Sequence, residues 1–106
     1  MGVSKSDNFT TKQNELAQYA KALAHPARIA IVQFMMKNPG CITNHLVENL
    51  PLAQATISQH LTALKKVGLI KGTIKAPKIC YCLEEKKLKK IQKLFNDFTT
   101  KALKCC

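Results

Sequence analysis

The chain has 106 residues, 46% of them apolar, which fits one small globular domain and excludes disorder throughout. Seventeen Lys and Arg against six Asp and Glu give a net charge of +11, which favours polyanions and nucleic acid above all, since neutralised phosphates release counterions. No apolar run approaches the roughly 18 residues of a membrane span, and a polar N-terminus with an odd count of five cysteines points to reduced thiols in the cytoplasm.

Residues 1–9 read as a disordered leader, and residues 10–106 as one domain. Thr10 and Thr11 offer N-cap hydroxyls for a helix to about residue 24, with Leu16, Tyr19, Ala20 and Leu23 in one apolar stripe. His25-Pro26 breaks it, because the residue before proline is pushed out of the α region. Proline suits the first turn of a second helix over about 26–37. Ile29, Val32 and Met36 are its expected inward face, widened by Ile31 and Met35. Asn38-Pro39-Gly40 ends it.

A short third helix is expected next, with Thr43 as N-cap, Leu46, Val47 and Leu50 inward, and Pro51 closing it. A fourth spans about 53–67, with Ile57, Leu61 and Leu64 at i, i+4, i+7 and Gly68 as its stop. Two helices joined by so short a turn read as a helix-turn-helix. From Leu69 the period changes. Residues 69–75 and 78–83 are short and β-branched, with Ala76-Pro77 between them, as in a hairpin forming a wing.

The last helix, about 84–104, places Leu88, Ile91, Phe95, Phe98 and Ala102 in a 3-4-3-4 spacing, the pattern of a packed seam. Its lysines mostly take the other faces. The expected fold is therefore mainly α: five helices and a two-stranded wing in a winged helix-turn-helix. No nucleophile–base pair, phosphate loop or paired-acid motif appears, so no enzyme is expected.

With Ile57 and Leu61 inward, the fourth helix leaves Gln54, Thr56, Ser58, Gln59 and His60 for its outer face. Gln pairs bidentately with adenine, and Ser or Thr bonds base edges or phosphates. The same face is equally compatible with an ordinary solvated surface. Lys75 and Lys78 in the wing are suited to backbone phosphates.

The run from Leu52 to Ile70, LAQATISQHLTALKKVGLI, resembles the recognition helix of ArsR/SmtB-type repressors. Leu23-Ala-His-Pro-Ala-Arg-Ile29 resembles that family's entry to its second helix, and Tyr81-x-Leu83 its wing, so the likeness spans about residues 14–100. It implies a homodimer joined through the first and last helices, with Leu16, Tyr19, Leu88, Ile91, Phe95 and Phe98 at the interface. It also implies a palindromic operator in double-stranded DNA, and release when a ligand or oxidant is sensed. Ala53 departs from the pattern, standing where many members carry a capping Ser, and the wing tip has Pro77 and lysines in place of a glycine turn.

No cofactor is expected for folding. The family's zinc site between the last helices uses Asp, His and Glu, and this chain's last helix has no His. Thiolates remain, and they favour soft ions. Arsenite or antimonite on three thiolates is the family precedent, though Cys41-Ile42-Thr43 completes only half of the usual Cys-x-Cys pair. Cys105-Cys106 resembles the C-terminal pair of other relatives. The expected site is Cys41 with Cys105 and Cys106, and Cys80 with Cys82 in the wing is the lesser choice. Oxidant or reactive-sulfur sensing by the same thiols, and a constitutive DNA-binding module, stay open as alternatives.

Overall fold

The computed structural model describes residues 8–38, 49–75 and 78–106, with residues 73–75, 78 and 79 as backbone alone. Four helices and one hairpin occur among them: α1 (Thr11–Ala22), α2 (Pro26–Lys37), α3 (Gln54–Lys66), β1 (Ile70–Lys75), β2 (Lys78–Leu83) and α4 (Glu85–Lys104). The expected short helix of Thr43, Leu46 and Val47 lies outside the described residues, as do residues 1–7 of the expected leader.

Local chemistry accounts for the boundaries. Thr10 opens α1 with a capping box: its hydroxyl accepts from the Gln13 amide at 3.1 Å, and the Gln13 side chain accepts from the Thr10 amide at 2.9 Å. Pro26 begins α2, with His25 as N-cap. α3 ends in a Schellman motif, where Gly68 N–H donates to Lys65 C=O at 2.9 Å and Leu69 N–H to Leu64 C=O at 3.1 Å. Gly68 has φ +83°, the left-handed region that a side chain disfavours. The motif also brings Leu64 and Leu69, both fully buried, to the same point. The chain then turns directly into β1.

β1 and β2 pair antiparallel from Ile70↔Leu83 to Lys75↔Lys78. The core collects Tyr19 and Ala22 of α1, Ile31, Val32 and Met35 of α2, Ile57, Leu61 and Leu64 of α3, Leu69 and Ile70 at the root of the wing, and Ile91 of α4. Burying side chains such as Ile31, Leu64, Leu69 and Ile70 contributes about 1.5–3 kcal/mol each.

One expected face is corrected. α2 turns Ile31, Val32 and Met35 inward, while Ile29 and Met36 are exposed, Met36 at 62%. The inward stripe is thus 28, 31/32 and 35, one position from the expected phase. Its first member is a charged residue, Arg28, which apolar spacing does not reveal.

Candidate nucleic-acid interface

α3 separates its two faces cleanly. Ile57, Leu61 and Leu64 are buried, whereas Gln54, Ser58 and Gln59 are exposed and Thr56 is half-buried. The exposed amides and hydroxyl therefore stand on the side away from the core, the geometry a helix needs to enter a major groove. Thr62 donates its hydroxyl back to the Ser58 carbonyl at 2.9 Å, so the Ser58 hydroxyl is not engaged by that bond. As expected from the Ala53 departure, the N-cap of α3 makes no side-chain bond. The positive end of the helix dipole at Gln54 thus lacks a side-chain acceptor from its own cap.

His60 does not share that face. It lies at i+3 from Ile57 and i−4 from Leu64, at the edge of the inward stripe, and it is half-buried. Arg28 Nε donates to His60 Nδ1 at 3.1 Å, and the Arg28 guanidinium also donates to the Ala22 carbonyl at 3.1 Å. The His25 ring sits 5.7 Å from the His60 ring, tilted by 48°. Desolvation lowers the His60 pKa below its ordinary 6.5, and the charges of Arg28 and then His25 lower it further. His60 is thus tied to Arg28 at the edge of the core, a bond that its expected outward placement did not include. Its spacing from Ile57 and Leu64 is the signal that could have identified it.

The hairpin carries Lys75 and Lys78 as the last pair of its register, beside Ala76-Pro77, which lies outside the described residues. Both residues therefore stand at the outer end of the wing.

The cysteines are dispersed. Cys80 is buried and disulfide-bonded. Cys82 is half-buried, and Cys105 and Cys106 are exposed at the end of α4, with Cys106 Sγ 3.6 Å from the Ala102 carbonyl. No group of three or more metal-ligating side chains occurs among the described residues.

α1 and α4 leave an apolar groove of about 520 Å³, lined chiefly by Leu16, Ala17, Ala20, Leu94, Phe95 and Phe98. Glu15 and Lys90 form an ion pair between the same two helices. Of the residues expected at a dimer seam, Tyr19 and Ile91 are buried in the protomer's own core, with Leu88 packed beside them. Leu16, Phe95 and Phe98 line the open groove, Phe98 being 58% exposed.

Among the described residues no helix is long and apolar enough to cross a membrane. The model of a family described as "Bacterial regulatory protein, arsR family" matches residues 25–71, from His25 through the recognition helix to the start of the wing. The transcriptional repressor PagR of Bacillus anthracis is 31% identical over 80 residues, covering 76% of this chain and 80% of that protein. An ArsR-like transcriptional regulator from Rhodococcus sp. RHA1 shares the fold with a TM-score of 0.75 over 90% of this chain and 89% of its own, at 22% identity. A possible transcriptional regulator for arsenical resistance superposes with a TM-score of 0.66 at 30% identity, over 74% of this chain and 80% of its own. These relatives are regulators of transcription, not enzymes. The phasing of α3, the wing and this likeness agree: the chain belongs to the ArsR family of bacterial transcriptional regulators.

Proposed function

We propose that the protein is a cytoplasmic, homodimeric repressor that binds a palindromic operator and is released by a thiophilic metalloid such as arsenite or antimonite. The observation that carries the DNA reading is the exposed row Gln54, Ser58 and Gln59 opposite the buried row Ile57, Leu61 and Leu64. A net charge of +11 supplies the sequence-independent attraction. Two recognition helices related by a two-fold axis read two half-sites, so the dimer sets the palindrome.

The groove between α1 and α4 supports a second copy as the partner. Leu16, Ala17, Ala20, Phe95 and Phe98 form a continuous apolar strip on a small domain that gains by further burial. Phe98→Asp places a carboxylate on that strip without disturbing the protomer's core. It is expected to give a monomer by sedimentation and a loss of operator affinity, and a dimer unchanged by this substitution contradicts the assignment.

The exposed vicinal pair Cys105-Cys106 supports the metalloid reading, with Cys41 as the third ligand. The solved relative described as a possible regulator for arsenical resistance supports it too. Release requires the ion to bind the DNA-free conformation more tightly, because equal affinity shifts nothing.

The disulfide of Cys80 favours a second reading, oxidation of a thiol pair that includes the wing. There two thiols lose two electrons and two protons to a peroxide, giving a disulfide and water. Cys41→Ser, Cys80→Ser/Cys82→Ser and Cys105→Ser/Cys106→Ser proteins, titrated with arsenite and with peroxide, separate the two. Loss of arsenite release in the first and third alone supports the metalloid site. Loss of peroxide release in the wing variant, with arsenite inert, supports the redox one.

A further inference from the structure

Three elements meet at one side chain. Arg28 projects from the first turn of α2, donates to the carbonyl of Ala22 at the end of α1, and donates through Nε to His60 Nδ1 on α3. His25, the N-cap of α2, lies beside the same imidazole and accepts the Arg28 and Ile29 amides at its carbonyl, at 2.9 and 3.1 Å. The guanidinium is a planar fork with donors fixed in direction, so holding two acceptors at once fixes the distance between them. His60 is one residue past the exposed Ser58-Gln59 pair and one before the buried Leu61. A change in its position therefore rotates or tilts the reading face of α3.

We propose that Arg28 and His60 are positioning residues for DNA recognition, Arg28 as a strut from the α1–α2 corner and His60 as its acceptor on the recognition helix. This rests on the DNA-binding reading of α3. It asks for a neutral imidazole with the proton on Nε2, since Nδ1 must accept. A protonated His60 loses that acceptor and sets an N–H against the Arg28 donor. The charged and titratable groups acting on His60 among the described residues are Arg28 of α2 and His25 at its start, both of the repelling sign once His60 is cationic. Acid therefore opens the joint, and the helix loses its alignment with the core still intact.

The experiment uses the full chain and a duplex that the wild-type protein has selected from a random pool. Arg28→Met and His60→Phe are expected to weaken binding at neutral pH about three- to tenfold, the net scale of one ordinary hydrogen bond. Their double variant is expected to be no weaker than either, because both break one contact. His60→Asn, which keeps an acceptor near the Nδ1 position, recovers most of what His60→Phe loses. It also removes the decline in affinity that the wild type shows below its ordinary histidine range of about 6.5.

The salt dependence of binding is expected to keep its slope in Arg28→Met. A slope reduced by about one marks Arg28 as a direct phosphate contact and overturns the proposal. So does an acid decline that persists in His60→Asn, or neutral-pH affinities equal to wild type in both Arg28→Met and His60→Phe. Amide and imidazole NMR shifts separate this from the DNA reading itself. In a protein that bound no duplex, Arg28→Met still shifts the amides of residues 54–66 and the His60 tautomer if the strut exists, and leaves both unmoved if it does not.

Discussion

Single side chains divide into those that hold the fold and those that face the partner. Ile31 is fully buried, so Ile31→Ala is expected to destabilise by about 2–5 kcal/mol and Ile31→Val by about 0.5–1.5 kcal/mol, read as urea midpoints at constant slope. Gly68→Ala forces a side chain into the left-handed region at φ +83° and is expected to lose about 1–2 kcal/mol. The Lys87 side chain that the new methyl meets is flexible at its end, so the backbone conformation dominates that loss. His60 adds a pH dependence with a definite sign. Its folded pKa is lowered, so the unfolded chain takes up a proton first as pH falls. Its contribution is whole above its ordinary 6.5 and is lost as pH falls through the lowered folded value. A urea midpoint that drops between about pH 7.5 and 5.5 in wild type, and drops less in His60→Asn, is the expected result.

At the scale of elements, each boundary written in strong local chemistry was legible beforehand. Thr10 caps, Pro26 starts, Gly68 stops, and the switch to β-branched residues after Leu69 marks the hairpin. The inward faces were legible only where apolar residues alone define them. On α3, Ile57, Leu61 and Leu64 sufficed, but on α2 the inward stripe begins at Arg28, and apolar spacing chose Ile29 and Met36 instead. The Arg28–His60 bond was hidden in the same way, because a polar residue bonded within the protomer looks in sequence like one facing solvent. On α4 the 3-4-3-4 seam mixes two destinations, Ile91 in the protomer core and Phe98 in the open groove, since one helix face turns across two surfaces along its length. Cys80's disulfide was not legible at all, because register across a fold decides it and spacing does not. Ala53→Ser is expected to stabilise α3 by about 0.5–2 kcal/mol by adding the absent cap, visible as a higher thermal midpoint.

For the molecule as a whole, one small core holds α3 against α1 and α2 while the wing and α4 extend from it. α4 alone, at 20 residues, is about 30 Å long and carries the groove with α1 that a second copy would cover. On the proposed reading, the charge of the whole chain draws DNA in without choosing a sequence, and the choice falls to α3. The most direct measurement is therefore operator affinity of the Gln54→Ala/Ser58→Ala/Gln59→Ala protein, compared with wild type on the selected duplex and on a scrambled one. A loss of about 1–3 kcal/mol for each base-reading contact, confined to the selected duplex, with scrambled binding and salt slope unchanged, is the predicted result. An equal affinity for the selected duplex in both proteins contradicts the assignment of α3 as the reading element.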